Sequence, residues 1–303
     1  MPTDRIADNP LRTCTVVDRL GRALPFSKGV LATSILATGT KPPAAYEVAR
    51  IVQERLNKSG VESIDSEALT QITAEEMARL VSNEVSELYL LWRKARRIGR
   101  PIIISMLGSS GVGKSTLATR LALSLGFNRI VTTDSIREVL RTVIPKSVLP
   151  ELHVSSYEAI ETDLLEAQSS TYLRQSRAVA AACAAVARRY VHEKRNVLFE
   201  GVHLLPGYLT RELEGMDERP IIVELLLALQ DERVHRARLN DRLVMEPSRD
   251  GRRHLERFEV IRGLQENVRG LAQSAGIPEY DVGSDQDLTQ KIVREIVNKA
   301  LDH

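Results

Sequence analysis

A chain of 303 residues is long enough for one large or two modest domains, each able to bury a core. Forty-two Lys and Arg against 40 Asp and Glu leave a formal charge of +2, which argues against a generally basic nucleic-acid binder without excluding a local basic patch. Cys14 and Cys183 lie far apart and outside any C-x-x-C pair, no apolar run reaches membrane-spanning length, and the polar N-terminus has no signal-type apolar region, so a reducing cytoplasm and no membrane partner are expected.

From the N-terminus, Val16 to Phe26 reads as two short strands around a turn at Leu20-Gly21-Arg22. Helices are expected over Lys28 to Ala37, Pro43 to Asn57 and Ala74 to Lys94, with Thr40-Lys41-Pro42-Pro43 breaking the first from the second and Pro43 opening the new helix. Arg93 to Pro101 is a basic run ending in helix breakers. We read it as a solvated helix end plus linker rather than a nucleic-acid site, because cations complement the negative C-terminal end of a helix. The organisation changes here, which predicts domains at 1–97 and 98–303.

From Pro101 onward the pattern alternates strand and helix, as a parallel α/β sheet requires. Ile102 to Leu107 reads as a buried strand and Thr116 to Leu125 as a helix with Leu117, Leu121 and Leu125 facing the core. Between them, Gly108-Ser109-Ser110-Gly111-Val112-Gly113-Lys114-Ser115 fits G-x-x-x-x-G-K-[ST], with Thr116 following. In a strand–loop–helix setting, backbone N–H groups and the positive helix end converge on phosphates. Lys114 would reach the β- and γ-phosphates, and Ser115 would ligate Mg²⁺. The spacing predicts that the chain binds a nucleoside triphosphate. Further strands are expected at Arg129 to Thr133, Val197 to Phe199, Ile221 to Leu227 and Tyr280 to Val282, with a final helix from Asp287 to Leu301. The Ala-rich stretch Ala178 to Ala187 places Cys183 as a small core residue.

A kinase also needs a group at the acceptor hydroxyl and positive charge over the transferred phosphoryl, both projecting from carboxyl ends of strands. Asp134 stands after the second strand of this series and could accept the hydroxyl proton or simply cap the next helix. Arg137, one turn on, suits an acceptor that already carries a phosphate or carboxylate. Glu200 and His203 follow the third strand: Glu200 for Mg²⁺ or the acceptor, His203 for an anionic substrate or a structural role. Asp231 to Arg253 holds Arg233, Arg236, Arg238, Arg242, Arg249, Arg252 and Arg253. Such a segment could close over ATP, and Arg238 with Arg242, sharing a face at i,i+4, are the chosen phosphoryl contacts; a salt-bridged solvated helix is the bland alternative. Ser155, Ser156 and Tyr157 could cradle an anion, although Ser155 with Glu158 fits a capping box.

With these pieces in place, the chain resembles the archaeal-type 2-phosphoglycerate kinase family over nearly its whole length. The matching segments are Pro25 to Gly29, Gly108 to Thr116, Thr132 to Arg137, Leu152 to Tyr157 and Glu200 to Gly207. The resemblance implies a P-loop NTPase sheet of the nucleotide-kinase type, ATP and Mg²⁺ as cofactors, and a small anionic phosphorylated acceptor, 2-phosphoglycerate. It also implies a small, mostly helical ATP-cone-like domain at the N-terminus, through which homo-oligomers could form. There the chain departs from the pattern: Asp18-Arg19-Leu20-Gly21 stands where Lys-Arg-Asp-Gly is usual, which weakens the case for ATP at this domain, leaves Arg19 and Lys28 as the candidate phosphate contacts, and keeps a purely structural or oligomerising domain as the alternative. Two other readings stay open. One is a kinase with a different acceptor, an inositol phosphate, a sugar acid or a 5′-hydroxyl nucleic acid, the last disfavoured by near-neutral charge and 4% aromatics. The other is a nucleotide-sensing regulator with no acceptor.

Overall fold

The computed structural model describes residues 14–156, 158–159, 171–245, 254–285 and 287–301. They form two compact units, Met1–Lys94 and Ala95–His303.

In the first unit, β1 (Thr15–Val17) pairs antiparallel with β2 (Ala23–Pro25) and parallel with β3 (Ser63–Asp65). The β1–β2 turn is closed by Asp18, whose Oδ1 accepts from the N–H groups of Leu20 at 2.9 Å and Arg22 at 3.0 Å. Ser27 caps α1 (Lys28–Leu36), and α2 (Pro42–Ser59) opens on proline and ends at Gly60 in the left-handed conformation. Where one helix is expected from Ala74 to Lys94, the structure has two, α3 (Ser66–Leu80) and α4 (Asn83–Arg97). Asp65 starts the first by accepting from the Glu67 and Ala68 N–H groups. Val81 then leaves helical geometry, and the Ser82 hydroxyl accepts from Val85 N–H to start the second. Ile35, Val48, Val52, Met77 and Tyr89 build this unit's core.

Among its described residues the second unit has a five-stranded, all-parallel sheet in the order β5-β6-β4-β7-β8, as the strand–helix alternation requires. Its strands are β4 (Ile102–Leu107), β5 (Ile130–Thr132), β6 (Val197–Gly201), β7 (Ile221–Ala228) and β8 (Glu279–Asp281). Among the described residues its α-helices are α5 (Lys114–Leu125), α6 (Thr133–Val143), α7 (Thr171–His192), α8 (Tyr208–Leu213), α9 (Glu232–Met245), α10 (Phe258–Ser274) and α11 (Leu288–Leu301). β4 and β7 are near-continuous apolar runs because both their faces are covered. On one face Ile103, Leu107, Val197 and Phe199 pack against Val179, Cys183 and Ala187 of α7 and Leu264 and Val268 of α10. Burial pushes the Cys183 thiol up to about 12, so it behaves as the small core residue expected. The chain reverses its direction of strand addition at β4, so the carboxyl ends of β4 and β6 open on the crevice where such sheets bind ligands.

No helix among the described residues is long and apolar enough to cross a membrane.

Candidate active site

The chain leaves β4 through Gly108 and re-enters regular structure at Lys114, the first residue of α5. Gly108 and Gly111 hold φ of 150° and 84°. A β-carbon on Gly108 would stand 2.5 Å from the Leu227 carbonyl oxygen, and one on Gly111 would stand 2.6 Å from Leu239 Cδ2. Both conformation and space therefore demand glycine. Gly113 caps α5 with no side-chain hydrogen bond, which leaves the first-turn N–H groups for an anion. Lys114 folds over the loop, its Nζ donating to the Ser109 carbonyl at 2.8 Å.

Ser115 Oγ donates to Glu200 Oε1 at 2.9 Å. Glu200 reaches this position because β6 lies beside β4 with Glu200 opposite Met106. A hydroxyl and a carboxylate, both hard oxygen donors, fit Mg²⁺, which keeps several waters and takes few protein ligands. Among the described residues, no group of three or more His, Cys, Asp or Glu side chains could hold a metal alone.

Asp134 sits in the first turn of α6, but the cap is Thr132, whose Oγ1 accepts from Ser135 N–H at 3.1 Å. The Asp134 carboxylate is thereby left 75% exposed at the crevice. Arg137 is largely buried, with Nη1 donating to the Val154 carbonyl at 2.5 Å and Nη2 3.4 Å from Glu138. The 150–156 segment is thus joined to α6. Within it, Ser155 and Glu158 form the reciprocal capping box, at 2.9 and 3.3 Å. Tyr157 lies outside the described residues.

Two expected contacts are corrected by the geometry. His203, expected at the substrate, is 1% exposed, and both its ring nitrogens face protein groups: Nδ1 lies 3.1 Å from Thr133 Oγ1 and Nε2 3.0 Å from Gln175 Oε1. No nitrogen remains for a substrate. Burial pushes its pKa down to about 4, with Asp134 opposing and Arg137 and Lys114 adding to the shift, so the ring is neutral near pH 7. Its separation of 3.8 Å from Asp134 Oδ1 is therefore not an ion pair. Arg238, expected over the transferred phosphoryl, donates instead to the Val112 carbonyl at 2.9 Å and the Val282 carbonyl at 3.3 Å, bracing the phosphate loop from α9. The other α9 arginines divide: Arg233 lies 3.5 Å from Asp231, and Arg236 pairs with Glu259 at 3.2 Å while stacking 4.1 Å over the Phe258 ring. The Arg242 side chain and residues 249, 252 and 253 lie outside the described ones.

Three buried residues absent from the sequence reading complete the site. His235 on α9 donates Nε2–H to the Ser110 carbonyl at 2.7 Å, and burial lowers its pKa. Its spacing to Arg238 and Arg242 puts all three on one helix face, a signal present but outweighed by the arginines. Gln265 of α10 grips the Leu229 backbone from both amide ends, at 3.1 Å each, and approaches Ser109 Oγ at 3.5 Å. Gln175 of α7 holds His203; no pattern in the sequence marks either glutamine.

In the first unit, Asp18 also pairs with Arg22 at 2.6 Å, and Arg19 pairs with Glu67 at 2.9 Å. The Arg19 guanidinium thus has a carboxylate partner within its own unit.

Residues 14–98 match the ATP cone domain model, and residues 103–262 match the AAA domain model. The 2-phosphoglycerate kinase of Methanocaldococcus jannaschii is 36% identical over 260 residues, 84% of this chain and 82% of that protein. Its counterpart from Methanopyrus kandleri is 32% identical over 286 residues, 92% of this chain and 85% of the relative. That of Pyrococcus furiosus is 30% identical over 292 residues, 95% and 94% of the two chains.

Proposed function

The chain belongs to the 2-phosphoglycerate kinase family, and from that premise we propose that it transfers the γ-phosphoryl group of ATP to the free hydroxyl of 2-phosphoglycerate, giving 2,3-bisphosphoglycerate and ADP. The observation that carries this reading is the Ser115–Glu200 contact at 2.9 Å, with Asp134 two residues beyond Thr132, the register partner of Glu200 across β5 and β6.

Residues Gly108 to Thr116 would cradle the β- and γ-phosphates through backbone N–H groups, and Lys114 would leave the Ser109 carbonyl for the γ-phosphate. Ser115 directly, and Glu200 directly or through water, would hold Mg²⁺, which would supply positive charge against the triphosphate. Asp134 takes the acceptor's hydroxyl proton as the oxygen bonds to the γ-phosphorus and the bond to the β,γ-bridging oxygen breaks; ADP leaves with that electron pair. Arg137 would bind the acceptor's existing phosphate or carboxylate, to which a planar guanidinium offers paired donors. The kinase machinery is assigned to 98–303 and the cone to 1–97.

The test is ADP release with Mg²⁺-ATP across 2-phosphoglycerate, 3-phosphoglycerate, glycerate, inositol phosphates and a 5′-hydroxyl oligonucleotide, with Lys114→Ala as control. Turnover on 2-phosphoglycerate that disappears in Lys114→Ala is expected. Activity confined to another acceptor would discard the substrate, and ATP binding without any turnover would discard the kinase.

A further inference from the structure

We propose that Gln175 is a positioning residue for phosphoryl transfer, joining Arg137 and Asp134 into one acceptor-binding unit through Val154 and His203. This rests on the kinase reading above.

Gln175 is fully buried in the first half of α7, where an amide is costly unless its hydrogen-bonding groups are used. They are. Nε2 donates to the Glu151 carbonyl at 2.6 Å and the Val154 carbonyl at 2.8 Å, and Oε1 faces His203 Nε2 at 3.0 Å. With both amide hydrogens committed to carbonyls, Oε1 can only accept, so His203 carries its proton on Nε2. Its Nδ1 is then an acceptor, filled by the Thr133 hydroxyl at 3.1 Å. Thr133 fits against β6 because Gly201 has no β-carbon, and Asp134 follows it directly. In the other direction, the Val154 carbonyl that Gln175 holds also receives Arg137 Nη1 at 2.5 Å. Arg137 Nε is buried with no partner among the described residues, a donor that an anionic oxygen would satisfy. One side chain therefore ties the 150–154 segment, α6 and the end of β6 together.

The neutral amide has a second consequence. The charged groups facing His203 are Asp134 and Arg137 of α6 and Lys114 of α5. A protonated imidazole 3.8 Å from Asp134 would stabilise that carboxylate and reduce its basicity. Gln175 accepts from the neutral ring without adding the negative charge that would favour its protonation.

Two variants test this, Gln175→Leu and Gln175→Glu. Gln175→Leu should raise KM for the acceptor roughly tenfold or more, as for loss of a buried hydrogen bond, and lower kcat while KM for ATP moves less than about twofold. Gln175→Glu keeps the side-chain volume but puts an acceptor oxygen where Nε2 donates to the Glu151 and Val154 carbonyls, so it should share the acceptor-side defect of Gln175→Leu. In ¹H–¹⁵N histidine spectra of the ligand-free protein, it should move the His203 titration upward by about one pH unit or more, with kcat falling as the ring protonates. Parallel rises in both KM values, or an unmoved His203 titration, would overturn the proposal. If Gln175→Leu does not fold, the glutamate variant decides alone. The spectra need neither acceptor nor turnover, so failure of the kinase reading and failure of the network are told apart.

Discussion

At Gly201 a β-carbon would overlap the Thr133 side chain, and φ of 149° adds a backbone penalty. Thr133 cannot yield easily, because it is fully buried and bonded to His203. Gly201→Ala should therefore push the first turn of α6 away from β6, costing about 1–3 kcal/mol of stability. It should also cut turnover more than ATP affinity, since Asp134 moves with that turn; calorimetry and nucleotide titration separate the two effects. His203 makes a pH prediction at the same scale. Its ordinary pKa of 6.5 falls to about 4 in the fold, chiefly through burial. Between these values the unfolded chain binds more protons, so stability drops as pH falls from about 6.5 to about 4. His203→Gln, which keeps a donor and an acceptor without titrating, should lose less. The comparison is the difference in thermal midpoint between pH 7 and pH 4.5 for both proteins.

At the scale of elements, α9 and the phosphate loop form one body. His235 and Arg238 donate to two of the loop's carbonyls, Ser110 and Val112, and Leu239 fills the space above Gly111. These contacts fix the directions in which the loop's N–H groups point. His235→Phe and Arg238→Met should each weaken ATP binding by roughly tenfold, the scale of one buried hydrogen bond, with little change in KM for the acceptor. An acceptor-side defect in Arg238→Met would return that arginine to the phosphoryl group. The strand–loop–helix element itself was legible, because Ile102 to Leu107, the glycine spacing and the Leu117–Leu121–Leu125 period are local patterns. The break at Val81–Ser82 was not. Helix formers stand on either side of it, and Val81 leaving helical geometry, followed by the Ser82 cap, separates α3 from α4.

At the scale of the molecule, each unit has its own buried core. A chain beginning at Ala95 is expected to fold and to bind ATP with the affinity of the full protein at its phosphate loop. Circular dichroism and nucleotide titration would check this, and an unfolded product would show that the kinase unit depends on the residues before it. The cone match covers residues 14–98, yet Asp18 closes its own turn and Arg19 is held by Glu67. What the sequence alone determined was whatever depends on near neighbours: the phosphate loop, the parallel α/β alternation and the family. Asp134 and Glu200 could be singled out because each stands at the carboxyl end of a strand, and Arg137 because it lies one helical turn beyond Asp134. Which of them meet, and what holds them, is decided by contacts across long stretches of chain. Ser115 meets Glu200 only because β6 inserts beside β4 in the sheet. His203 is turned inward and Arg238 is drawn onto the loop because burial obliges polar groups to find partners, and those partners lie 28 and 126 residues away. Periodicity reports which face of an element is buried; the group waiting on the other side is set by the packing of the whole unit.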